Sequence, residues 1–144
     1  MNNRLNYLVI GSIFRSMDFF KNNLGNIFKK YDLIGTEFGI LEAIHTLGPQ
    51  PIQVLSKRIL LTSGGMSYTK KQLIKKELIY EKICKEDKRI CFVHLTDKGE
   101  KLISEGLKEH DIYLNKLLSN LNEEEKKIIF RLLKKIYWVY IMEE

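Results

Sequence analysis

The chain has 144 residues, 44% apolar and 29% charged, which supplies one core, is too short for a multidomain enzyme and makes no compositional case for disorder. Two prolines and nine glycines leave little material for turns, so long helices are expected. The formal charge is +6 and sits in one window: residues 51–90 hold ten basic groups against four acidic, with near-neutral segments on either side. Such a window points to a polyanionic partner, nucleic acid first.

In chain order, Ile10, Ile13, Phe14, Met17, Phe20, Leu24, Ile27, Phe28 and Tyr31 recur in steps of three and four. That spacing predicts one long amphipathic helix over 4–31, lying on a large core or on another chain. The run Leu5–Phe14 behind Arg4 is not read as a signal peptide, because Asn6 interrupts it and no cleavage motif follows. Thr36 is read as an N-cap with Glu37 in the first turn, Phe38, Leu41, Ile44 and Leu47 as the buried stripe, and Gly48-Pro49 as the stop. Pro51 is placed as the first residue of a short helix that buries Ile52, Leu55 and Ile59 and runs to about Leu60. Leu61-Thr62-Ser63 opens the next helix, which runs to about Lys76.

The period then changes. Ile79–Cys84 and Ile90–Leu95 are β-branched and aromatic runs around the polar segment 85–89, so they read as a hairpin. Thr96-Asp97 caps a helix with Ile103, Leu107, His110, Leu114, Leu117 and Leu121 in alternating steps of four and three, the seam of helix-on-helix packing. Asn122 with Glu125 forms a variant capping box. It opens a last helix with Ile128, Ile129, Leu132, Leu133, Ile136, Tyr137 and Tyr140 turned inward.

Two short helices joined by a tight turn and followed by a hairpin is the order of a winged helix-turn-helix. At 100° per residue, Met66, Thr69 and Leu73 face the core. Gly64, Tyr68, Lys71 and Lys75 then lie opposite, flanked by Ser67 and Gln72. Small residues, a phenol and then ammonium groups suit a helix whose N-terminal half enters a major groove while its later lysines reach phosphates. Gly64 and Gly65 each cost a helix roughly 1 kcal/mol relative to alanine, which a close backbone approach would explain. At the hairpin tip, Lys88 and Arg89 project, and an arginine there can enter a narrow minor groove. Asp87 would repel phosphate unless it holds a basic side chain from the neighbouring helix.

These residues resemble the MarR family of bacterial transcriptional regulators. The resemblance rests on Thr36–Leu41, Leu61–Tyr68, Leu73, Lys75–Ile79, Asp87-Lys88-Arg89 and Leu95–Gly99, covering roughly residues 30–100 in motif and the whole chain in helix order. It implies a homodimer on a palindromic operator in double-stranded DNA, with DNA-binding residues Ser63, Gly64, Gly65, Ser67, Tyr68, Lys71, Gln72, Lys75, Lys88 and Arg89. The sequence departs from the family pattern at Glu77, where glycine is usual, at Ile74, where glutamate is frequent, and at Glu81, where a basic residue is common. The stretch 51–63 and Cys84 ahead of Glu86-Asp87 look most like regulators that respond to quinones and other electrophiles. That likeness implies a small aromatic or electrophilic effector and makes Cys84, beside Lys82 and Lys85, a candidate sensor thiol. Cys84 and Cys91 sit symmetrically about the turn, as cross-strand neighbours would.

No metal-ligand spacing, phosphate-binding loop or nucleophile motif is evident, so neither a cofactor nor an enzyme is expected. His45, His94 and His110 read as buried or interfacial side chains rather than ligands. Two cysteines suit a reducing cytoplasm, and no run approaches the ~20 apolar residues of a membrane span. The expected fold is mainly α with a small β-hairpin, a single domain over 1–144. Residues 30–100 form the winged helix-turn-helix lobe, and 1–29 with 101–144 the dimerisation lobe. The reading is a ligand- or redox-responsive repressor. Its rivals are a helical protein-interaction module with a basic patch and a sequence-independent nucleoid-type DNA binder.

Overall fold

The computed structural model describes residues 3–59 and 63–141, with the side chains of Ser63 and of residues 137–141 left aside. Its elements are α1 (Arg4–Lys30), α2 (Gly35–Leu47), β1 (Gln50–Pro51), α3 (Ile52–Ile59), α4 (Ser63–Lys75), β2 (Ile79–Ile83), β3 (Cys91–Leu95), α5 (Asp97–Leu117) and α6 (Glu123–Ile141). The chain divides into two compact units, Met1–His110 and Asp111–Glu144.

The core of the first unit is apolar and continuous. Ile40, Leu41 and Ile44 of α2, Leu55 of α3, Met66 and Leu73 of α4, Leu78, Ile79 and Val93 of the hairpin, and Ile103 of α5 are all buried in it. Helices α2, α3 and α4 therefore meet on the stripes that their spacing predicts, except that Leu47 is 45% exposed and Ile52 and Ile59 are half-buried against the core rather than within it. Phe28 of α1 and Phe38 of α2 pack with ring centroids 4.9 Å apart, and Phe38 meets the ring of His110 at 5.1 Å. Gly106 lets α5 close on this cluster, since a Cβ there would stand 3.1 Å from the Phe38 ring.

Several local readings need correction. Thr36 is not the cap of α2: the helix begins at Gly35, Ile34 is the N-cap, and the Glu37 carboxylate accepts from the Ile34 N–H at 3.0 Å. Pro51 does not open α3 but lies in β1, opposite Phe92 of β3. Lacking an N–H, a proline fits such an edge position. The hairpin thus gains a third strand in the antiparallel order β1-β3-β2, with β2 and β3 in register from Ile79↔Leu95 to Ile83↔Cys91. Cys91 is consequently opposite Ile83, not Cys84, so the two cysteines are not cross-strand partners. Helix α5 stops at Leu117, which leaves Leu121 in the connecting turn. The caps proposed at Leu61 and Thr62, the end of α3 at Leu60, and the side chains of Tyr137 and Tyr140 lie outside the described residues.

In the second unit, the Asn122 box forms as read. Asn122 Oδ1 accepts from the Glu125 N–H at 2.9 Å, and Glu125 Oε2 accepts from the Asn122 N–H at 2.8 Å. The stripe of α6 is not covered, however: Ile128, Ile129, Leu132, Leu133 and Ile136 are each at least 40% exposed. Helix α1 likewise contains no buried residue, and Ile10, Phe14 and Met17 stand open. No helix of the described residues is long and apolar enough to cross a membrane.

Candidate nucleic-acid interface

Helix α4 presents the face that its spacing predicts. Met66, Thr69 and Leu73 are buried, whereas Gly64, Ser67, Tyr68, Lys71 and Lys75 are exposed and Gly65 and Gln72 half-buried. Tyr68 is 62% exposed although it is aromatic and adjoins the core residue Thr69. A Cβ at Gly64 would meet open space, so packing within the chain does not require glycine there. The backbone of Ser63 begins the helix.

The remaining lysine of α4, and the one that follows the helix, serve the fold. Lys70 pairs with Glu81 of β2, whose Oε1 also lies 3.4 Å from Cys91 Sγ. These contacts hold the Glu81 carboxyl below its ordinary value, the Lys70 hydrogen bond most strongly. Burial and the nearby Glu81 push the Cys91 thiol up, which keeps it protonated and poorly nucleophilic. Glu81, where the resemblance leads one to expect a basic residue, thus fastens the wing to α4. Lys76, just past the helix, donates to Glu37 Oε2 at 2.9 Å and to the carbonyl of Asp32. That gives the buried Glu37 carboxylate its counter-ion.

The connection from α4 into the wing is a second fixed point. The Glu77 N–H donates to Ile74 O, and the Leu78 N–H reaches back to Leu73 O at 3.0 Å. This helix-ending pattern requires a left-handed residue, and Glu77 adopts φ 61°. Thr96 ties the wing's exit to the same place: its hydroxyl donates to Glu77 O at 2.7 Å and accepts from the Gly99 N–H at 3.0 Å. Lys98 caps the carbonyl of Lys76 at 2.8 Å. A Cβ on Gly99 would come within 2.0 Å of Leu78 O. The motif Leu95–Gly99 is therefore a clasp in which the threonine caps α5 and ties it to the connection after α4, and the glycine lets α5 pass.

At the tip, the Ile90 N–H donates to Asp87 O at 3.0 Å, which makes Lys88 and Arg89 the central residues of a tight turn. Asp87 Oδ1 accepts from the Arg89 N–H at 3.0 Å and from its Nε at 3.2 Å, while Nη2 faces Oδ2 at 3.4 Å. The partner of Asp87 is thus Arg89, two residues on, and not a basic side chain of the neighbouring helix. These bonds hold the Asp87 carboxyl below its usual range. The Arg89 side chain is 91% exposed and aimed outward, oriented but not neutralised by burial.

Cys84 follows β2, with its N–H donating to Ile90 O and its Sγ 3.7 Å from Glu86 Oε2. The thiol is therefore directed to the Glu86 carboxylate rather than to Lys82 or Lys85. His45 pairs with Glu100 at 2.8 Å, His94 stacks on Tyr80, and His110 packs on Phe28 and Phe38. Among the described residues, no group of His, Cys, Asp or Glu could hold a metal ion.

A core-anchored helix with an exposed polar and basic face, beside a three-stranded wing with an outward arginine, defines a winged helix-turn-helix protein. The chain belongs to the MarR family: the family's profile matches residues 35–91. The HTH-type transcriptional regulator MhqR of Bacillus subtilis is 31% identical over 130 residues, 90% of this chain and 88% of that protein. A crystal structure of a mutant MarR from E. coli complexed with operator DNA matches at TM-score 0.82 and 19% identity, over 94% of this chain and 98% of that one. The organohalide-sensing regulator RdhR with 2,4-dichlorophenol bound matches at TM-score 0.81 and 19% identity, covering 92% and 79%. At these identities the structural matches establish the shared fold.

Proposed function

We propose that this MarR-family regulator is a repressor that binds a palindromic operator as a homodimer and releases it in response to a small aromatic or electrophilic effector. The observation that carries the reading is the coincidence of two exposed features. Helix α4 offers Gly64, Ser67, Tyr68, Lys71 and Lys75 on one face, and the wing offers Lys88 and an oriented Arg89. Gly64, Gly65, Ser67 and Tyr68 would approach base edges, with Ser63 and Gln72 flanking them. Lys71, Lys75 and Lys88 would neutralise phosphates, and Arg89 would enter the minor groove. The role is binding in the cytoplasm, not catalysis. The solved relatives bound to operator DNA and to a chlorophenol support both partners.

Residues 30–100 form the DNA-binding lobe in this reading, and 1–29 with 101–144 the dimerisation lobe. The uncovered apolar faces of α1 and of α6 support the assignment, because large exposed apolar patches are rare on monomers. Of the two cysteines, Cys84 is the candidate for electrophiles. It lies beyond the end of β2, whereas Cys91 is within the ladder and its thiol is pushed up by burial.

Competition between a duplex from the gene's own upstream region and random duplex tests the reading. Preference for the former is expected, equal binding would indicate a nucleoid-type protein, and binding to neither an interaction module. Lys71→Ala and Lys75→Ala should each weaken binding to all sequences and flatten the salt dependence by about one unit of slope. Tyr68→Ala should instead change base preference, by roughly 1–3 kcal/mol if the contact is as good as a bidentate one.

A further inference from the structure

A strip of the wing between its joint with α4 and its arginine tip has no part in the phosphate and minor-groove contacts named above. Side chains alternate along a strand, so Ile79, Glu81 and Ile83 of β2 share the face turned to the core and α4. Ile79 is buried there and Glu81 meets Lys70, but Ile83, at the outer end of the strand, is 62% exposed. Its cross-strand neighbour Cys91, half-buried, is on the same face, since its Sγ lies 3.4 Å from Glu81 Oε1. Beyond Cys84 the chain turns through Lys85, Glu86, Asp87, Lys88 and Arg89, all of them charged. Ile83 therefore presents an open aliphatic surface between a charged tip and a charged joint.

The joint itself carries no net charge. Glu81 on its own would repel a phosphate, but its carboxylate is bonded to Lys70, and that bond occupies the ammonium of Lys70 as well. A duplex that lies on the exposed face of α4 and also reaches Arg89 has to cross this strip. It meets there a compensated ion pair and the side chain of Ile83.

We infer that Ile83 is an apolar DNA contact, packed on the deoxyribose edge of the strand that passes from the groove under α4 to the groove at the wing tip. Sugar carbons are surface that the phosphate-directed lysines leave uncovered, and contacts to sugar position a protein on the duplex as phosphate contacts do. Apolar side chains recur in proteins that bind the minor groove. Taking an isoleucine and a sugar edge out of water adds affinity without releasing a counterion. The branched side chain has few rotamers to lose on docking. A single exposed isoleucine is ordinary by itself; its place between two DNA-directed features assigns it. The inference rests on the reading that α4 and Arg89 both face DNA, and it adds to that interface a part whose strength is independent of salt.

Operator affinity of the full chain, measured across a series of salt concentrations, tests the contact. Ile83→Ser should lower affinity about tenfold at every salt concentration and leave the slope of log affinity against log salt unchanged. Ile83→Leu, which keeps the aliphatic surface, should bind within about twofold of the wild type. The urea midpoint of Ile83→Ser should match the wild type, because the side chain is outside the core. Unchanged affinity in Ile83→Ser overturns the contact. So does a loss that comes with a flatter salt slope, which would mark a phosphate contact, or with a lower urea midpoint, which would assign Ile83 to the fold. Lys71→Ala and Arg89→Ala distinguish this inference from the reading beneath it. If both weaken binding while Ile83→Ser does not, the sugar contact alone has failed. If both leave binding intact, the DNA face is misassigned and the contact falls with it.

Discussion

Glu77 holds a left-handed backbone that glycine would adopt without strain, and its carboxylate gains only an exposed pairing with Lys98 at 3.6 Å. A side chain in that region costs roughly 1 kcal/mol relative to glycine. Glu77→Gly is therefore expected to raise stability by up to about 1 kcal/mol, visible as a higher urea midpoint at unchanged slope. Gly99 is the opposite case, because the space for a Cβ is filled by the carbonyl of Leu78. That carbonyl accepts the Thr96 N–H and cannot retreat without breaking the bond. Gly99→Ala should cost about 3 kcal/mol in the same measurement, at the upper end of overpacking effects. In the sequence Gly99 was visible as a family-like motif residue and Glu77 as a departure from the motif. The reason for Glu77 is local, the hydrogen bonds that end α4, whereas that for Gly99 was not legible because it depends on the carbonyl of Leu78, some twenty residues away along the chain.

Where the wing meets α4, Lys70, Glu81 and Cys91 form a small polar joint beside the shared core. The folded Glu81 carboxyl titrates below its ordinary 4.5, so its ionised form adds stability at neutral pH. That share is lost as pH falls through the carboxylate range into the lowered folded value. The stability advantage of the wild type over Glu81→Gln should accordingly be present at pH 7, decline as pH falls below 4.5 and disappear once it is below the lowered folded value. Denaturant unfolding from pH 7 down into acid checks it, and an advantage that does not decline would exclude the joint. Patterns set by local geometry were legible at this scale. The 3.6-residue period placed Met66, Thr69 and Leu73 inside, and the Asn122–Glu125 box needed only three residues of chain. Pro51 was misread because its ladder partner, Phe92, lies far along the sequence and a helix start satisfies proline equally well. Thr36 was misread because a carboxylate three residues beyond Ile34 supplied the cap instead.

For the whole molecule, the apolar stripes at both ends of the chain are the main unfinished business of the single protomer. Phe14 at 61% and Leu132 at 50% exposure belong to contiguous apolar stripes of a kind that monomers rarely leave open. The sequence showed the stripes but could not say whether a core or a second chain covers them. The described residues provide no cover in either unit taken by itself. Ile10→Asp combined with Phe14→Glu should abolish dimerisation in sedimentation and lower operator affinity at least tenfold, since a symmetric site needs two half-site contacts. A monomer that still binds the operator tightly would remove α1 from the interface.

The one-residue offset of the hairpin has a consequence for redox chemistry. With Cys91 opposite Ile83, the two sulfurs leave the sheet on opposite faces, Cys91 beside Glu81 and Cys84 on the face that carries Tyr80 and His94. A disulfide needs both Cβ atoms on the same side within about 4.5 Å, so the wing cannot close on itself without a register slip. A disulfide at either cysteine must therefore use an external thiol or join two chains. Diamide treatment with added glutathione should yield a monomer one glutathione heavier at Cys84, and not a monomer lighter by two hydrogens.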